Sequence, residues 1–122
     1  MKQASNNTYD LEERTAKFGE EVINFCKTVR QDAITKPLVN QLVRSATSVG
    51  ANYMEANGAS SRKDFRNKIF ICKKEANETK HWLRMLNAAA SEKQDELRRL
   101  WKECQELTLI FQKITTTLRD RN

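Results

Sequence analysis

Apolar residues along this chain recur at alternating steps of four and three, in four stretches parted by short polar joints. In the first stretch Leu11, Thr15, Phe18, Val22, Phe25 and Val29 keep that beat, which stacks side chains along one face of an α-helix and predicts a helix over residues 10–30. Its start reads as a capping box, with the Asp10 carboxylate accepting from free backbone N–H groups and Glu13 reaching back. A second seam, Leu38, Leu42, Ser45 or Ala46, Val49, Tyr53 and Ala56, predicts a helix over 37–56. Pro37 suits its first turn, where an N–H has no helical partner, and Asn57-Gly58 reads as a left-handed stop. The third helix, expected over 61–90, opens on a cap at Ser61 and Asp64. It carries Phe65, Ile69, Cys72, Ala76, Thr79, Leu83, Leu86 and Ala90, and at about 1.5 Å per residue spans roughly 45 Å. After a tight connection at 88–93, Leu97, Leu100, Cys104, Leu107, Phe111, Ile114 and Leu118 predict a fourth helix over 93–118.

Four one-sided helices on short connections bury their seams best as an antiparallel up-down-up-down four-helix bundle, an all-α fold. One proline, three glycines and no alternating strand pattern agree with it. The chain has 122 residues and is 39% hydrophobic, so it has the size of one domain and enough apolar content for a core. No internal repeat or low-complexity stretch divides it. The first eight or nine and the last three or four residues are expected to fray.

Charge changes the picture at one place. The formal net charge is +6, and residues 57–86 hold eight Lys or Arg against three acids, so this quarter of the chain supplies most of the excess. At about 100° per residue, Arg62, Arg66, Lys73, Lys80 and Arg84 fall within roughly 40° of one another on the third helix. The apolar seam lies about 90° away, so the ladder is expected to stand outside the core. Lys63 and Lys74 broaden it, and Phe70 projects near them. Several cations acting together attract phosphates and release counterions, and Phe70 could stack on an unpaired base. The plainer reading is a solvated helix face with Phe70 packed on a neighbour, and the residues alone leave both open.

The stretch "RSATSVGANYMEANGASSRKDF", residues 44–65, sets Ser45, Ser48, Asn52 and Glu55 on one side of the second helix, with Arg44 a step before and Gly50 within the same turns. Small residues let a neighbouring helix approach, whereas Arg44, Asn52 and Glu55 need polar partners if buried. The seam either fixes helix register or contacts a ligand or second copy. Glu75 and Glu78, three apart, are more simply partners for Arg44 or Lys68 than an acid/base pair.

"RSATSVGANYMEA" followed by "SRKDFRNKIFICKKEANETKHWLRML" resembles the four-helix-bundle family encoded within intervening sequences of bacterial 23S ribosomal RNA genes. Arg44, Ser45, Ser48, Val49, Asn52 and Ala56, then Lys63-Asp64-Phe65, Glu75, Glu78, Thr79 and Trp82-Leu83, carry the likeness over the middle 45 or so residues. The resemblance implies up-down bundles in ring-shaped homo-oligomers, typically pentamers. A related branch resembles accessory proteins of diversity-generating retroelements, which implies a reverse transcriptase or other ribonucleoprotein, and RNA or DNA, as partners. It implies no catalytic residue. Ile71 and Trp82 widen the apolar arc of the third helix, and Leu109 and Ile110 point off the seam of the fourth. Together with the resemblance they predict a homo-oligomer interface at these four positions.

Catalytic chemistry finds little purchase. "ETKH", Glu78 to His81, gives the Glu-x-x-His spacing of di-iron bundles once, and the chain has a single histidine, so no metal or other cofactor is expected. Cys26, Cys72 and Cys104 are odd in number, far apart and mostly on seams, which reads as buried thiols rather than a zinc site or nucleophile. Phosphate loops and nucleophile elbows are missing from the sequence, so enzymatic activity is not expected. No apolar run approaches the roughly 20 residues of a membrane span, and "MKQASNNTYDLEER" has no apolar signal segment, so a cytoplasmic location is expected. The leading expectation is a non-enzymatic oligomeric bundle that binds RNA or a ribonucleoprotein through its basic surface. The competing one is a scaffold that recognises an acidic protein.

Overall fold

A computed structural model describes residues 10–120. Its helices are α1 (Leu11–Cys26), α2 (Thr35–Asn57), α3 (Arg62–Ala89) and α4 (Gln94–Asp120), with one 3₁₀ turn at Ser91–Lys93 before the last. The fraying expected at the chain ends falls almost wholly outside the described residues.

Helix ends show where local chemistry overrode the apolar beat. Asp10 precedes α1 with φ −111° and ψ 40° and makes no capping bond, because an N-cap carboxylate reaches the first turn only from extended backbone. The expected capping box is therefore not formed. α1 stops at Cys26 rather than Arg30: the N–H groups of Thr28 and Val29 donate three residues back, to Phe25 and Cys26. Val29 remains buried inside this tight turn, so the seam outlasts the helix.

The start of α2 is organised by Asp32 instead of Pro37. Both Ile34 N–H and Thr35 N–H donate to Asp32 Oδ1 at 2.8 Å, and these bonds lower the Asp32 pKa. The Thr35 hydroxyl donates to the Arg30 carbonyl at 2.6 Å. Pro37 lies in the third position of α2, where its lacking N–H still costs nothing. Gly58 has φ −96°, so the predicted left-handed stop is a right-handed one, closed by Gly58 N–H and Ala59 N–H donating to Glu55 and Ala56. α3 begins as read, with Asp64 N–H donating to the Ser61 hydroxyl at 3.0 Å.

Cross-helix pairs give the topology. Residues 14 and 21 of α1 meet 103 and 99 of α4, residues 45 and 55 of α2 meet 79 and 68 of α3, and residues 73 and 80 of α3 meet 112 and 105 of α4. α1 runs opposite to α2, from Glu12 against Asn57 to Gly19 against Thr47, so neighbours are antiparallel all round. This is the up-down-up-down bundle. α1 lies mainly on α2 and meets α4 thinly, through Arg14 with Glu103 and Glu106 and Arg99 with Glu21.

Phe18, Leu42, Ile69, Leu83, Leu86, Leu100, Leu107 and Phe111 are fully enclosed. All three cysteines are buried and free, and loss of water pushes their thiols up, to about 11 for Cys26 and about 12 for Cys72 and Cys104. They remain protonated at neutral pH. Among the described residues no group of three or more His, Cys, Asp or Glu could hold a metal ion, and no helix is long and apolar enough to cross a membrane.

Two glycines mark the closest approach of α1 and α2. A Cβ on Gly19 would meet Thr47 Cα and Cγ2 at 3.6 Å, and one on Gly50 would meet the Thr15 backbone at 3.5 Å, both ordinary contacts. There is room for one methyl group. Since glycine inside a helix costs about 0.5–1 kcal/mol relative to alanine, Gly19→Ala should raise stability by about that much in thermal unfolding. Loss of stability in this variant would mean that the helices pack closer than described.

Candidate nucleic-acid interface

Seven cations read from the sequence lie on α3, and the cap at Ser61 sets the phase of the first of them. Arg62, Arg66, Lys73, Lys80 and Arg84 occupy the flank toward α4, while Lys63 and Lys74 are exposed farther out. The ladder lies outside the core, as expected, but part of it rests against α4. Arg66, Lys73 and Lys80 are only partly exposed and lie across the α3–α4 seam. Lys73 Nζ donates to Gln112 Oε1 at 2.8 Å and Lys80 Nζ to Gln105 Oε1 at 2.5 Å. Long aliphatic stems cover apolar surface while their heads find polar atoms at the edge, which is why a flank only a quarter-turn from the core draws them in.

Their partners are neutral amides, so the charge survives. Among the described residues none of the seven forms an ion pair; the exception in the basic segment is Lys68, which meets Glu55 at 2.7 Å. Aromatic rings sit between the cations. The Arg66 guanidinium lies 5.0 Å and Lys73 Nζ 5.3 Å from the Phe70 ring centre, and Lys80 Nζ lies 5.4 Å from that of Trp101. Both rings are more than a third exposed, Phe70 37% and Trp101 39%. Toward the start of α3, Arg62, Lys63 and Arg66 border an open cleft of about 440 Å³ with Leu118, and Arg66 Nε is buried without a hydrogen-bond partner.

The acids of α3 lie on its other flank. Arg44 bridges Glu75, at 3.3 Å, and Glu78, which also accepts from Trp82 Nε1 at 3.1 Å. Ser45 and Thr79 are buried and joined hydroxyl to hydroxyl at 2.9 Å. Ser48 and Asn52 instead satisfy carbonyls of their own helix, those of Arg44 and Ser48. With Glu55 tied to Lys68, the polar seam straps α2 to α3, and Glu75 and Glu78 are paired away from the ladder.

Of the four interface positions, Trp82 and Ile110 pack against the chain's own core, and Ile71 is half-buried. Trp82 and Ile110 are thus only partly buried, touching the core along one edge. Leu109 is 57% exposed. Residues of α4 complete the basic face unforeseen. Trp101, Gln105 and Gln112, spaced by four and seven, adjoin α3 only once the antiparallel register is known.

These features define an all-α antiparallel bundle whose third helix carries seven cations that form no ion pair among the described residues. The chain belongs to the 23S rRNA-intervening sequence protein family, whose model matches residues 8–113. It is also similar to the crystal structure of a protein with unknown function from the S23 ribosomal protein family of Bacteroides thetaiotaomicron VPI-5482, at 29% identity and a TM-score of 0.77. That match covers 86% of this chain and 97% of that one. Comparison with curated proteins returned no match.

Proposed function

We propose that this chain binds RNA, alone or within a ribonucleoprotein, through the α3–α4 face, with little dependence on sequence. One observation carries the reading: seven cations without acidic partners share α3, beside the accessible rings of Phe70 and of Trp101 on α4, while two of the three acids of α3, Glu75 and Glu78, are strapped to α2. Such a face offers charge to phosphates and π-surface to bases. Exposed Leu109 supports assembly of copies into a homo-oligomer, and the family resemblance favours a ring of five. A mass in light scattering equal to one chain would dismiss that part.

Anisotropy of a labelled single-stranded RNA tests the binding itself. R66E/K73E/K80E should weaken it at least about tenfold at low salt, whereas reversing exposed Lys27 and Lys36, which lie outside α3 and α4, should change it little. Equal binding by the ladder variant and the native chain would overturn the proposal. An acidic polypeptide bound where RNA is not would put the competing scaffold reading in its place.

A further inference from the structure

Near the 3₁₀ turn, the end of α3 and the start of α4 leave an open cleft of about 460 Å³, within the usual range for small-ligand sites. Its floor is apolar, from buried Leu83 and Leu97 and the half-open ring of Trp101. Its rim is cationic: Arg84, Arg98 and Lys102 line it, and Lys80 leans over the Trp101 ring. No carboxylate lines it, and none of these four cations forms an ion pair among the described residues. Asn87 also lines the cleft, and its Oδ1 is buried without a hydrogen-bond partner. A buried acceptor left unpaired is costly, so a ligand bringing an N–H gains more there than on open surface.

A flat apolar slot beside an indole, an unpaired acceptor and a ring of cations call for a planar group that carries N–H donors and hangs from an anionic chain. We propose that this cleft holds one unpaired base of a single-stranded nucleic acid. The base stacks against Trp101 and donates to Asn87 Oδ1, and the flanking phosphates lie among Lys80, Arg84, Arg98 and Lys102. The inference rests on the nucleic-acid reading of the face and adds a specific seat to it. A duplex cannot use the seat, since its bases are stacked and paired. About 20 residues of α3, roughly 30 Å, separate the seat from the cleft at Arg62 and Arg66, so one strand could run along the ladder between them.

The test uses the full chain with W82F, which leaves Trp101 as the sole tryptophan. It is titrated with oligoadenylate of about twelve nucleotides and with an abasic phosphodiester strand of equal length. Oligoadenylate should quench Trp101 and bind about tenfold more tightly than the abasic strand. W101A in the native background should remove that difference, so that the two strands bind alike, and N87L should reduce it. If both strands bind alike and neither quenches Trp101, the base seat is refuted while the basic face stands. If neither binds, both readings fall. Quenching in the single-tryptophan chain decides the matter even where W101A proves poorly folded.

Discussion

Phe111→Ala should lower the free energy of unfolding by about 3–5 kcal/mol. The ring of Phe111 is fully buried on α4 and faces that of Tyr53 on α2, with centres 6.5 Å apart and planes tilted by 39°. α2 and α4 are diagonal partners with no close backbone approach, so these two rings fill the bundle centre that the backbones leave open. Truncation there removes both the transfer energy of the ring and its contacts, and four stiff helices collapse poorly around the void. Small domains are stable by only about 5–15 kcal/mol, so the loss should take from about a fifth to all of the native stability. In urea, with slopes of about 1–3 kcal/mol per molar, the midpoint should fall by roughly 2 M. Leu109→Ala, at a side chain 57% exposed, should change the free energy of unfolding by no more than about 0.5 kcal/mol. A Phe111 cost as small as that of Leu109 would mean that the ring is not enclosed as described.

The fold was legible because it depends on period alone: seams at steps of three and four survive any error in where a helix begins. Helix ends were less so, for a physical reason. Val29 is buried by a turn rather than a helix and carries the apolar beat past Cys26, while Asp32 rather than Asp10 found the geometry to cap. The candidate site divides the same way. Seven cations on one helix can be phased from one rotation per residue, but their neighbours belong to α4 and depend on register. Lys73 and Lys80 reach Gln112 and Gln105 across that contact, and Trp101 shares a cleft with Arg84 and Asn87 of α3. Trp82 and Ile110 lie off the single-partner seams yet touch the core, because each helix packs against two neighbours.

Salt should weaken RNA binding steeply, and the steepness counts the cations that touch phosphate. For a single strand the logarithm of affinity falls by about 0.7 per phosphate neutralised for each decade of salt, so five contacts among the seven give a slope near −3.5 and about a hundredfold loss between roughly 50 and 200 mM. Not every position tests this cleanly. Replacing Lys73 or Lys80 also deletes a hydrogen bond to α4 and a cation above a ring, so affinity would fall for two reasons. Lys63 and Lys74 are exposed, with no hydrogen bond or ion pair among the described residues, and K63Q/K74Q should leave stability within about 0.5 kcal/mol of the native chain. Its slope should become shallower by about 1.4, equally for strands of any sequence, because phosphate contacts read no bases. An unchanged slope in this variant would remove Lys63 and Lys74 from the interface and confine the strand to the α3–α4 seam.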